Sequence, residues 1–247
     1  RFYAEGASPQ DVVFDRPLID VGNALARAGS RESLNDVALD AALKSTLERV
    51  APIYRRAWWT AHRESNDRWK SSIDPLLSTH GDALVAYVTR AYGMTWPRDG
   101  YPVRVFAYSN GAGALSTPGP LLLTSSRDSV NAGMHAHETI IHESMHQWDE
   151  ETWGLLRGQA KAQGKFIYGE LTHAMIWITA GEAIRSRVSD HEPYAVANGM
   201  WPRSLGRFKP ALDAAWLPWL RGEGTRHAAI AALVKLVPEI PKRWRTS

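Results

Sequence analysis

His142, Glu143 and His146 are the side chains of this sequence best suited to catalysis. They stand in the stretch Thr139-Ile140-Ile141-His142-Glu143-Ser144-Met145-His146-Gln147-Trp148, an H-E-x-x-H pattern. On a helix, residues four apart share a face, so the imidazoles of His142 and His146 can grip one metal ion. Glu143, one step round, is poorly placed to join that chelate, yet it reaches a water held at the metal's open position. Such a carboxylate suits a general base in zinc-dependent hydrolysis. Residues 130–141 contain no Pro, and Met134, Ile140, Ile141, Met145 and Trp148 supply the apolar side chains of a buried helix. Two His and a Glu in such surroundings are costly to bury without a shared task.

A catalytic zinc takes three protein ligands and keeps a fourth position open, so one more ligand is needed. Glu182 is the expected one. Residues 171–186 form a strongly apolar helical pattern, and a carboxylate among Ile178, Gly181, Ala183 and Ile184 calls for a cation nearby. His173 is the rival ligand. Nine positions separate it from Glu182, and at ~100° per residue the two point to opposite sides of one helix, so both should not bind one ion. With Glu182 as ligand, His173 takes a catalytic part, stabilising the oxyanion of the tetrahedral intermediate. Tyr194 either does the same through its hydroxyl or is a buried, hydrogen-bonded side chain. Glu170, beside Gly169 in a helix cap, is a weaker ligand candidate.

These two segments resemble the gluzincin metallopeptidases, thermolysin-like enzymes among them. In that family an H-E-x-x-H helix is followed by a second helix whose Glu ligand lies in a pattern like N-E-A-I-S-D, and here the residues are Gly181-Glu182-Ala183-Ile184-Arg185-Ser186. The resemblance covers only these segments. It implies a zincin-type fold, Zn²⁺ held by His142, His146 and Glu182, Glu143 as the base, and a peptide or protein substrate hydrolysed at a peptide bond. The sequence departs from the pattern in two places. His146 and Glu182 are 36 positions apart (182 − 146), more than in the thermolysin-like pattern. Ser186 stands where that pattern has an acid that orients the first His. Glu138, one turn before His142, is the candidate replacement, the alternative being a surface acid.

The 247 residues suffice for one large domain or two small ones. The expectation is a single zincin-like domain of α+β class, mainly helical, with a small sheet before the metal helix. Its portions are N-terminal helices over 1–95, sheet and metal-site helices over 96–190, and C-terminal helices over 191–247. Residues 1–34 form an extended or loosely helical lead-in. Ala38, Leu39, Ala42, Leu43, Leu47 and Val50 recur at helical spacing behind a cap at Asn35 or Asp36. Two more helices follow, over 53–73 and over 75–92, the last stopped by Gly93. Tyr54, Trp58, Trp59 and Trp69 are expected in the core, with His62 a structural side chain.

Residues 102–108 and 121–125 alternate or run apolar in the manner of strands. Between them, residues 110–117 form either a glycine turn or an edge to which an extended peptide adds, so that substrate lies along Ala112 to Leu115. Asp149-Glu150-Glu151 opens a polar connection through Gly164. A turn at 198–202 precedes helices near 210–220 and 226–237.

Composition excludes several classes. No apolar run approaches the ~18–20 residues of a membrane span, so none is expected. The net charge of +3 comes from Lys and Arg scattered among acids, not from the stripe that nucleic acid requires. The absence of Cys rules out thiolate ligands for zinc and leaves the redox compartment unread. Arg1-Phe2-Tyr3 lacks an initiator Met, which suggests that a preceding segment was removed; an export signal is one such segment, and a periplasmic or secreted location is the expectation. A zincin scaffold that binds metal or a protein partner without turnover is the competing reading. Glu143 argues against it, because a structural site has no use for a base.

Overall fold

A computed structural model describes residues 16–29, 33–108, 113–117 and 121–241. The described chain is mainly helical with one three-stranded sheet, an α+β architecture. Its backbone groups into two compact units, Arg1–Asp74 with Tyr101–Ala132, and Pro75–Gly100 with Gly133–Ser247. These boundaries cut across the three portions expected from the sequence.

In the first unit, α1 (Arg16–Ala28) gives regular structure to part of the expected lead-in. The next helix, α2 (Ala41–Tyr54), starts later than expected, because Asp40 rather than Asn35 or Asp36 is its cap. The Asp40 carboxylate accepts the backbone N–H groups of Ala42 and Leu43 at 2.9 and 3.0 Å, filling two of the donors a helix start leaves open. Helical structure then continues past Pro52, through a π-helical turn at Arg55–Trp59, into α3 (Thr60–Tyr92). The two helices expected on either side of residue 74 are therefore one. Pro75 lies inside α3, where it contributes no N–H to the ladder, and the division between the two units falls at this residue.

The expected aromatic core is corrected here. Residues 52–61 are all exposed, and Trp58 and Trp59 retain 53% and 44% of their surface. Of the four aromatics only Trp69 is buried, its indole N–H donating to Asn131 O at 2.7 Å. His62 is held by the Tyr54 hydroxyl, 2.8 Å from its Nδ1.

The sheet of this unit has the order β1-β3-β2, with β1 at Val103–Phe106, β2 at Ala114–Thr117 and β3 at Leu121–Ser125. β3 runs parallel to β1 and antiparallel to β2, with Leu115 opposite Leu123. Part of the expected glycine turn is thus an edge strand, while Ala112 lies outside the described residues. Side-chain amides fasten the sheet to its surroundings: Asn66 donates to Val105 O at 3.2 Å, and Asn131 bonds Thr124 Oγ1 and Ser125 O.

The second unit carries α4 (Gly133–Met145), α5 (Asp149–Ala162), α6 (Leu171–Arg185) and the short α7 (Tyr194–Ala197). A run of short helical turns containing α8 (Lys209–Ala211) and α9 (Leu217–Leu220) leads to α10 (Arg226–Leu236). α6 is apolar on nearly every side because it is central: Leu171, Ala174, Met175, Ile176, Ala180, Ala183 and Ile184 are all buried. Trp216, also buried, donates its indole N–H to Thr179 Oγ1 of α6 at 2.9 Å.

Residues 149–162 form a helix instead of the expected polar connection. Three acids in the first turn meet the positive end of the helix dipole, and Thr152, Leu156 and Ala160, four apart, bury one face. That burial outweighs the roughly 1 kcal/mol that each interior Gly costs relative to Ala. Among the described residues no helix is long and apolar enough to cross a membrane.

The neighbourhood of α4 and α6 is tight at Gly181. A Cβ there would lie 2.7 Å from Pro193 Cβ and 3.3 Å from Glu138 Oε1. Gly181→Ala is expected to lower stability by about 1–3 kcal/mol through overpacking. In urea titration this is a reduced midpoint at unchanged slope.

Candidate metal centre

Three imidazoles meet in the second unit. α4 supplies His142 from its last turn, His146 opens the 3-10 turn His146–Trp148 that continues α4, and α6 supplies His173 from its first turn. Nε2 of His142 lies 3.2 Å from Nε2 of His146 and 3.2 Å from Nε2 of His173. Two nitrogens bound to one tetrahedral zinc at ~2.0–2.1 Å stand about 3.3 Å apart, so the spacing fits a shared ion. Ordinary hydrogen bonds satisfy it badly. A neutral Nε2 carries either one N–H or one lone pair, and His142 Nε2 faces two other nitrogens at once. A cation between the three would resolve the conflict.

Electrostatics keeps two of these rings neutral. Burial pushes His142 well below its usual pKa, and His146 and His173 lower it further. Burial together with His146 brings His173 down to about 4. Burial also pulls His146 down, but its hydrogen bond to Asp149 and the charges of Glu143 and Asp149 outweigh it, leaving that ring above its ordinary value. Glu143 itself is buried on α4 directly after His142, and its carboxylate is close enough for its charge to act on His146.

The surrounding side chains fix how the rings point. His146 Nδ1 donates to Asp149 Oδ2 at 2.7 Å, which leaves Nε2 as the lone-pair nitrogen facing the cluster. The Trp177 ring, one turn after His173 on α6, covers His142 at a centroid distance of 3.8 Å. Tyr194 stacks on Trp177 at 4.9 Å and 13°. Behind this stack, the fully buried Glu138 accepts His191 Nε2 at 2.6 Å and the backbone N–H of Tyr194 at 2.9 Å. His135, Glu138 and His191 also place ligand-type atoms within 4.8 Å of one another. Their contacts are those of a hydrogen-bonded latch: a 2.6 Å N–H···O bond joins two of them, and His135 Nε2 donates to Glu192 O at 2.9 Å.

The structure brings together His142, Glu143, His146 and His173, and it puts Glu182 elsewhere. Glu182 is corrected as third ligand: its carboxylate is taken by Arg221, at 3.1 and 3.3 Å, and by Arg185 at 3.4 Å. The reason is helical phase. Nine residues along α6 carry it half a turn round and about 13.5 Å along the axis from His173. Those guanidiniums are the cations that the buried carboxylate required. Glu138 does not reach His142, whose Nδ1 has no hydrogen-bond partner; it fastens the segment leading into α7. Glu170 pairs with Arg207 at 3.0 Å, and Ser186 donates to its own helix at Ala183 O.

Asp149, which holds His146 Nδ1, is the residue of this cluster with no place at the site in the sequence-based expectation. Its signal was there: an acid three residues after the second His faces it on any continuing helix. The chain matches no protein-family profile, no curated protein and no solved structure.

Two substitutions distinguish the third-ligand assignments. His173→Ala is expected to weaken zinc binding by at least about 100-fold, beyond the roughly 10–100-fold expected when Asp149→Asn removes the ligand's orienting partner. Glu182→Gln should leave zinc affinity at the wild-type value. Competition against a chromophoric chelator measures all three.

Proposed function

We propose that this chain is a metal-dependent hydrolase of zincin type, cleaving peptide bonds at a centre formed by His142, His146, His173 and Glu143. The observation that carries the reading is the convergence of three Nε2 atoms on one point beside the glutamate of an H-E-x-x-H helix. A histidine then stands where the gluzincin pattern has its glutamate ligand. Three imidazoles without a thiolate suit zinc, with other divalent transition ions as competitors for the same donors.

When bound, zinc supplies Lewis acidity, polarising a carbonyl and lowering the pKa of water. Glu143 accepts the proton that the attacking water loses and returns it to the departing amine nitrogen, a transfer worth about 10²–10⁴ in rate. Asp149 holds His146 in one tautomer while this happens. Trp177 fills the space beside His142 and keeps water from that ring's flank. His173, considered from the sequence as an oxyanion stabiliser, is assigned instead to holding the metal. His142, His146 and His173 would hold the metal with three donors, as catalytic zinc sites do, whereas structural zinc sites are closed by four.

The test is a pair of measurements on wild type and Glu143→Gln. Zinc content, assayed after denaturation, is expected to be equal in the two. Hydrolysis of a broad peptide library is expected in the wild type and about 10²–10⁴-fold slower in the variant. Wild-type protein that binds zinc but cuts nothing in the library would instead support a metal-binding scaffold.

A further inference from the structure

Glu182, the carboxylate that the metal centre does not use, lies in the wall of a cleft of about 500 Å³ in the second unit. Tyr87, Arg90, Arg185, Ser186, Ser189 and Arg221 line it with Glu182. We infer that this cleft binds a small organic oxyanion, a phosphate or carboxylate compound.

Charge is the first argument. Three guanidiniums against one carboxylate leave the lining at +2. Asp213, whose charge acts on Arg221, does not cancel this, because Lys209 Nζ occupies its two oxygens at 2.5 and 2.6 Å. Like charges sharing a cleft repel one another, and an anion between them relieves that repulsion.

Geometry is the second. The Glu182 side chain is only 11% exposed, and it accepts Nε and Nη2 of Arg221 on different oxygens, so that guanidinium is held in one plane. Arg185 Nη1 donates to the same carboxylate. Arg90 is fixed by other means: its Nη2 donates to Leu220 O at 2.8 Å, and its guanidinium sits 5.2 Å from the Tyr87 ring and 5.0 Å from the Trp219 ring.

A guanidinium has five N–H donors, and these contacts leave several on each arginine for a ligand. Side chains already ordered lose less freedom on binding. The volume lies in the ~300–1,000 Å³ range of small-molecule sites, so the anion can carry an organic body against Tyr87 and Leu220.

This inference does not rest on the metal reading, since Glu182 and His173 face opposite sides of α6. Its test is calorimetric titration at constant ionic strength with inorganic phosphate, phosphoserine and citrate. Wild type, Arg221→Gln, Arg221→Lys and His173→Ala are compared, with folding checked by circular dichroism.

At least one probe is expected to bind saturably, with Kd below about 1 mM, and to bind His173→Ala equally well. Arg221→Gln should weaken it by about tenfold or more, the scale of one charge-assisted contact. Arg221→Lys keeps a cation on Glu182 and so protects the fold, and it should still weaken binding because the planar fork is gone. The preferred probe tells phosphate from carboxylate. No saturable heat from any probe with wild type overturns the inference, as does affinity unchanged by both Arg221 substitutions, or affinity lost in His173→Ala.

Discussion

His142 Nε2 faces the Nε2 atoms of both His146 and His173 at 3.2 Å, more than one neutral nitrogen satisfies well, and the packing of the second unit holds the three rings there. α4 fixes two by its own periodicity; the third comes only because α6 packs against α4. That packing depends on the absence of a side chain at Gly181, which leaves room for Pro193 and for the carboxylate of Glu138. Glu138 in turn holds His191 and the start of α7, and the Tyr194 ring borne there backs Trp177 against His142. The position of the His142 ring is thus set by aromatic contact and one buried acid more than by hydrogen bonds to that ring. The exception is His146, which Asp149 orients directly.

α6 separates two electrostatic environments. Its first turn offers a neutral imidazole to a place where a cation is wanted, and its last turn offers a carboxylate to a cluster of guanidiniums. The helix is buried along nearly its whole length, and the arginine-lined cleft opens at its last turn, away from the imidazoles. A single apolar rod thereby carries a cation-seeking group and an anion-seeking cluster without the charges of one neutralising the other.

Much of this was legible in the residues, and the failures have physical causes. The H-E-x-x-H helix, α6, strands β1 and β3 and the helical C-terminal part follow from local periodicity, which depends on near neighbours alone. The choice between His173 and Glu182 does not, because it turns on which face of α6 meets α4, a matter of tertiary packing. The carboxylate of Glu182 needs a cation, as expected; Arg185, three residues on, is a local partner, but that Arg221 would come from 39 positions downstream has no local signal. α5 was mistaken for a connection because two glycines and three acids weaken its pattern, yet the acids are what a helix start favours. The Trp58 and Trp59 stripe was assigned to the core by residue type, and the structure leaves that stretch exposed on all sides.

The tilted contact between Trp177 and His142, with ring centroids 3.8 Å apart, gives the molecule a built-in optical probe. With a paramagnetic ion such as Co²⁺ or Cu²⁺ bound at the proposed centre, an indole this close to His142 would lose its excited state, while a closed-shell ion would only shift its emission. Quenching of Trp177 would then follow loading of the proposed centre in real time without a label.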